Sequence, residues 1–284
     1  MLSSARCDTQ DRDGPPPSRL VLGMRVDGVE PPQALDRVLD LAGCARADAR
    51  GRYVCAANVH MAMEAHDDRD FRRVVNDADL VVPDGQPMVW ALRALGCRQR
   101  RRVRVSPDFL IDLLAAAEVL GLGVGLYGGA DETLPAIVHL LEEAYPGLRI
   151  AYAWSPPFRA LTTAEDVEAA AAITAARVDL LLVGIGCPKQ ERWMAAHATG
   201  DTTTGRPGLD CAMIGVGAAF DLFAGLTTEA PPWMQASGLE WLYRLALEPR
   251  RLWRRQIRSN PRFVALFLRQ LVAETAQGRR FTQP

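Results

Sequence analysis

Lysine is nearly missing from this chain: of 33 Lys and Arg residues, only Lys189 is lysine. Either chance left it there or a point charge is kept for a purpose, and the sequence leaves both open. Excess charge is missing too. The formal net charge is −1, which excludes a polycation built to seek nucleic acid. The six cysteines are scattered, with no Cys-x-x-Cys pair. That argues against a zinc site or a disulfide framework and fits a reducing compartment. The first residues lack the apolar stretch of a secretory signal. With Asp11-Arg-Asp-Gly-Pro-Pro-Pro17 they read as a disordered tail over 1–18. No long run is free of charge either. The best candidate span, Leu110–Ala130, carries Asp112 and Glu118 and several glycines from Gly121. It reads as a helix followed by a buried strand.

What is present is a βα rhythm. A strand is predicted at Leu20–Met24, then a helix at Pro32–Ala42. Apolar runs at Tyr53–Ala57, Leu80–Val82, Gly123–Tyr127, Leu180–Ile185 and Ala212–Val216 read as buried strands, and Arg149–Trp154 as another. Helical segments lie between them. One is predicted from Pro107 to Leu120 with Ser106 as its N-cap, and another is opened by Thr163. Continuous apolar strands alternating with helices imply a Rossmann-like parallel sheet flanked by helices, here over 19–236.

In such sheets ligands bind beyond the carboxyl ends of the strands. Asn58 falls there, as do Asp84 and Gly85, the segment Gly184-Ile-Gly-Cys-Pro-Lys-Gln-Glu191, and Gly215-Val-Gly-Ala-Ala-Phe-Asp221. Paired glycines after a strand let backbone N–H groups approach a phosphate at a helix start. The candidates from these turns are Gly184, Gly186, Lys189, Gln190, Gly215, Gly217 and Asp221. Neither turn completes a dinucleotide fingerprint: Lys189 and Phe220 stand where third glycines would be, which disfavours a nicotinamide oxidoreductase. Asp84 also has a plain reading as a turn or capping residue. Asp68-Arg-Asp70 matches an Asp-x-Asp metal motif but sits between helices rather than at a strand end, so no metal site is assigned.

The last part of the chain differs. From 239 to 284, ten arginines, among them Arg244, Arg250 and Arg251, face only Glu240, Glu248 and Glu274, an excess of seven positive charges. Trp241, Trp253, Phe263 and Phe267 are interleaved. This reads as a basic helical appendage over 237–284, suited to anionic lipid head groups or a diphosphate. A solvated helical face is the plainer reading, and RNA is disfavoured because the remainder is acidic.

These residues resemble the WecG/TagA/CpsF glycosyltransferases. The resemblance runs from about Leu20 to Val264 through Asn58, Pro83-Asp-Gly85, Arg102-Val103, Tyr127-Gly-Gly129, Pro188-Lys-Gln-Glu191, Gly215-Val-Gly217 and Phe220-Asp221, and ends with Gly238-Leu-Glu-Trp-Leu-Tyr-Arg244 and Glu248-Pro-Arg-Arg251. It implies an inverting hexosyltransferase that uses a UDP-sugar without a metal or other cofactor. It implies a polyprenyl-diphosphate-linked saccharide as acceptor, in cell-envelope or exopolysaccharide synthesis. The protein would be cytoplasmic and peripheral, on the anionic inner face of the membrane. The resemblance makes Asp84 the base, gives functional roles to Asn58, Arg102 and Gln190, sets Gly128 and Gly129 in the site, and places Asp221 toward the donor nucleotide. The chain departs from the family pattern at Ala56, at Val105 and at Glu229, where related sequences carry threonine, glycine and arginine. A noncatalytic UDP-binding scaffold is the alternative, and homo-oligomerisation is left open.

Overall fold

The computed structural model describes residues 14–217, 219–220, 230–247 and 249–276. Its centre is a six-stranded parallel sheet made of β3 (Arg52–Ala57), β4 (Leu80–Pro83), β5 (Gly123–Gly128), β6 (Arg149–Trp154), β7 (Leu180–Gly184) and β8 (Ala212–Gly215), in the spatial order β4-β3-β8-β7-β5-β6. Both faces of the inner strands are apolar, and the alternation can be read residue by residue. Tyr53, Cys55 and Ala57 of β3 and Leu181 and Val183 of β7 face one core. Val54 and Ala56, with Leu180 and Leu182, face the other. A strand buried on both sides leaves no polar phase, which is why the sequence shows unbroken apolar runs.

Helices α1 (Pro31–Asp48), α5 (Leu110–Leu120) and α6 (Leu134–Ala144) cover one face. Helices α2 (Val59–Asp67), α3 (Arg69–Asn76), α4 (Gln86–Ala94), α7 (Thr163–Ala175) and α8 (Lys189–Thr199) cover the other. Three short-range expectations are corrected. The strand expected at Leu20–Met24 is a hairpin of β1 (Ser18–Val21) and β2 (Met24–Asp27). Leu22 and Gly23 both take positive φ, 53° and 85°, the two-residue turn that matches strand twist. The helix expected from Pro107 with Ser106 as N-cap begins earlier, as a π-helical turn over Val105–Phe109 that runs into α5 at Leu110, with the Phe109 N–H donating to the Arg104 carbonyl at 3.1 Å. The Val103 N–H is committed to the Pro83 carbonyl and the Val105 N–H to Asp84, so the chain follows the end of β4 up to the residue where the π-helical turn opens. Thr162, not Thr163, caps α7: its hydroxyl accepts from the Glu165 N–H, and Glu165 returns the bond to the Thr162 N–H.

The C-terminal part is helical, as expected: α9 (Pro232–Ala236), α10 (Glu240–Leu247) and α11 (Pro249–Ala276). Helix α11 lies on the domain. Phe263 is buried in the core beside α2, with Leu266, Phe267 and Leu271 packed around it. Arg262 grips Asp67 at the end of α2 through two bonds of 2.5 and 2.6 Å, which holds the Asp67 carboxyl below its ordinary pKa. The Gln270 carboxamide accepts from the Leu22 N–H and donates to the Leu20 carbonyl, so α11 also clasps the hairpin. At the other end of the chain, Gly14 and Pro17 bind Arg37 and Gly28 through their carbonyls, so this part of the expected tail is packed. Among the described residues, no helix is long and apolar enough to cross a membrane.

Candidate active site

A cleft of about 1790 Å³ opens at the carboxyl ends of the strands. It gathers most of the residues that the sequence singled out: Asn58 after β3, Asp84 and Gly85 after β4, Arg102, Gly129 after β5, Gly184, Gly186, Lys189 and Gln190 around the start of α8, and Gly215 and Gly217 after β8. Asp221 lies outside the described residues, as do Glu229 and the side chains of Arg244, Arg250 and Arg251.

Asp84 and Asn58 adjoin because β3 and β4 are neighbours. The Asp84 N–H donates to the Ala57 carbonyl at 2.9 Å. One Asp84 carboxylate oxygen, Oδ1, accepts from the Val105 N–H at 3.0 Å, which fixes the plane of the carboxylate. Asn58 is the N-cap of α2, its Oδ1 accepting from the Met61 N–H at 3.1 Å. Arg102 is half-withdrawn from this pair. Its guanidinium donates to Glu240 at 2.7 Å and reaches Gln235 at 3.5 Å, so it fastens the C-terminal segment across the mouth of the cleft. Both partners of the Arg102–Glu240 bridge are largely buried. A double-mutant cycle of Arg102→Ala and Glu240→Ala should show a coupling of about 1 kcal/mol in denaturant unfolding. Strict additivity would mean that the contact holds nothing.

The glycines divide into two kinds. Gly186, with φ 85°, and Gly217, with φ 58°, have open space where a Cβ would stand and present their backbone to the cleft. Gly128 lies behind the cleft wall: a Cβ there would stand 2.4 Å from the Gly184 carbonyl oxygen. Lys189 is exposed at the first turn of α8, where the helix dipole favours an anion. Gln190 is buried, accepting from the Gly217 N–H at 3.2 Å and donating to Glu191 at 2.7 Å. Asp68, of the Asp-x-Asp sequence, caps α3 and pairs with Arg192.

Several wall residues have no sequence signal. Arg104 and Arg206 both line the cleft, each paired with a carboxylate, Asp108 and Asp166 respectively. Asp166 also meets Trp193 Nε1 at 3.3 Å and His197 at 3.2 Å. Trp193 is stacked between Tyr127 and His197, at 4.3 and 3.9 Å between ring centroids. Burial holds the His197 imidazole below its ordinary pKa. Phe158 is exposed at the rim, on the loop before α7. The opposite wall comes from α11, through Phe263, Val264, Phe267, Leu268 and Leu271, and from the turn before α10, where Gly238 packs on Trp90.

Comparison with known proteins agrees with this geometry. Residues 19–277 match the model of the Glycosyl transferase WecG/TagA/CpsF family. An N-acetylglucosaminyldiphosphoundecaprenol N-acetyl-beta-D-mannosaminyltransferase of Bacillus subtilis (strain 168) is 28% identical over 222 residues, 78% of this chain and 80% of that protein. The protein of the same name from Staphylococcus aureus (strain NCTC 8325 / PS 47) is 28% identical over 213 residues, 75% of this chain and 78% of its own length. With its parallel sheet, its strand-end cleft and a family match across nearly its whole length, the chain belongs to the WecG/TagA/CpsF family of glycosyl transferases.

Proposed function

We propose that this glycosyltransferase moves a hexose from a UDP-sugar onto a saccharide carried by a polyprenyl diphosphate, with inversion and without a metal or other cofactor. The observation that carries this reading is one cleft holding an oriented carboxylate, an anion-ready helix start and an apolar wall. The relatives' names add the acceptor class, a GlcNAc-diphosphoundecaprenol. In this reading Asp84 takes the proton of the acceptor hydroxyl as that oxygen attacks the anomeric carbon. The bond to the diphosphate breaks, and UDP leaves with its charge met by backbone N–H groups, the α8 dipole and Lys189. Asn58 and Gly85 shape the acceptor side. Gly129, Gly184, Gly186, Gln190, Gly215, Gly217 and Asp221 belong to the donor side, with Gly128 supporting them from behind. Arg102 closes the mouth, and the C-terminal Arg244, Arg250 and Arg251 are assigned to substrate binding as well. The test is a panel of UDP-hexoses against short-chain polyprenyl-diphosphate GlcNAc, with and without EDTA. Transfer from one UDP-hexose, unaffected by EDTA, is expected. Tight UDP binding without transfer would instead make the protein a scaffold, and loss of activity in EDTA would overturn the metal-free mechanism.

The enzyme is also proposed to work peripherally on the inner, cytoplasmic face of the membrane. Val264, Leu268 and Val272 recur every four residues on α11 and are 55%, 56% and 70% exposed. Leu268 and Val264 also line the cleft, so the apolar wall continues outward as a stripe. Leu268→Asp with Val272→Asp should weaken binding to anionic vesicles about tenfold or more, since burying each such side chain is worth about 1.5–3 kcal/mol. Unchanged co-sedimentation would refute that orientation.

A further inference from the structure

Glu191 is fully buried at the first turn of α8, one residue beyond Gln190. Its Oε1 accepts from Gln190 Nε2 at 2.7 Å. Its Oε2 is buried with no hydrogen-bond partner. Burial raises its pKa and favours the neutral form. A buried, under-satisfied carboxyl costs stability, so its presence here asks for a use.

That use is visible in Gln190. A carboxamide can point either end at a neighbour, and a backbone N–H such as that of Gly217 needs the oxygen end. Glu191 Oε1, the carbonyl oxygen of the neutral carboxyl, accepts from the NH₂ end, and this arrangement turns the Gln190 oxygen toward Gly217. Gln190 packs closely over Gly215, where a Cβ would stand 2.7 Å from its Nε2. The hydrogen bonds therefore run from Glu191 through Gln190, at the start of the helix that follows the β7 turn, to Gly217 in the turn after β8. Cys187 and Gly217 both line the cleft.

We propose that Glu191 is a positioning residue for the donor site: it sets the orientation of the Gln190 carboxamide and through it locks the two glycine turns that face the donor diphosphate. The locking is a property of the unliganded protein, whereas its effect on the donor rests on the UDP-sugar reading above. The test uses the full-length protein with Glu191→Met, Glu191→Gln and Gln190→Met, and two readouts. Hydrogen–deuterium exchange across 215–217 reads the lock directly. UDP binding by calorimetry, with KM and kcat for the donor, reads its consequence. Exchange at Gly217 should quicken by about tenfold in Glu191→Met and Gln190→Met, the loss of one hydrogen bond, while Glu191→Gln, which keeps an acceptor, stays close to wild type. UDP affinity and donor KM should follow the same order, with the melting temperature of Glu191→Gln preserved. Wild-type exchange in Gln190→Met or in a folded Glu191→Met would overturn the lock. Equal damage in Glu191→Gln and Glu191→Met would overturn it in favour of a required negative charge. If exchange changes as expected and no variant, nor the wild type, binds UDP, the lock stands and the donor assignment fails.

Discussion

Asp84→Asn should lower turnover by about 10²–10⁴-fold, the usual contribution of a positioned general base, while leaving UDP affinity unchanged. The substitution isolates the proton acceptor because so little else changes. Asparagine keeps an oxygen that can accept from the Val105 N–H, so the bond that orients residue 84 at 3.0 Å survives. The backbone bond from residue 84 to the Ala57 carbonyl does not involve the side chain at all. A drop of this size corresponds to about 3–5 kcal/mol of transition-state stabilisation. Single-turnover transfer with saturating donor and acceptor, beside calorimetric UDP binding, checks it. Near-normal turnover by a folded variant would reduce Asp84 to a turn residue and remove the base from the mechanism.

Gly128→Ala should cost at least about 3 kcal/mol, since backbone strain of this kind alone is worth about 1–3 kcal/mol and a steric clash adds to it. Gly128 has φ 128°, and the new methyl would lie 2.4 Å from the Gly184 carbonyl oxygen, a backbone atom that cannot swing aside. Gly128 and Gly184 are direct partners at the carboxyl ends of β5 and β7, so the clash pries those ends apart just behind the glycine turns that line the cleft. Gly186→Ala is the control. It too has positive φ, but nothing stands within 4 Å of the added carbon, so only the strain of about 1 kcal/mol remains. Denaturant unfolding of the two variants should separate them clearly. A Gly128→Ala protein as stable as Gly186→Ala would show that the close approach is not what this glycine is for.

The legible parts of the sequence are those where one physical rule acts alone. Apolar runs at Tyr53–Ala57 and Leu180–Gly184 give buried parallel strands, and the parallel sheet then sends Asn58, Asp84, Gly186 and Gly217 to one end. Where two local rules compete, the reading slips. The hairpin at Leu22 is invisible because leucine seldom takes positive φ; here Gln270, 248 residues away in sequence, binds its N–H. The wider π-helical turn before α5 opens at Val105, the residue whose N–H Asp84 holds. The helical nature of the C-terminus is written in its composition, but its docking is written in a finer pattern, Phe263, Leu266, Phe267, Gln270 and Leu271 inward against Val264, Leu268 and Val272 outward. Asp166, Arg206 and Phe158 could not be found, because helix sides and long loops meet at the cleft without any local spacing to announce it.

Helix α2 joins two places that function would seem to keep apart. Its first residue follows Asn58, whose neighbour in space is the turn of Asp84, and its last is Asp67, held by Arg262 of α11. Nine residues of helix form a stiff strut of about 13 Å. A strut transmits push and pull without bending, so whatever seats α11 also sets the resting pose of the asparagine beside the Asp84 carboxylate. Grip at the surface and aim at the cleft floor are two ends of a single mechanical part.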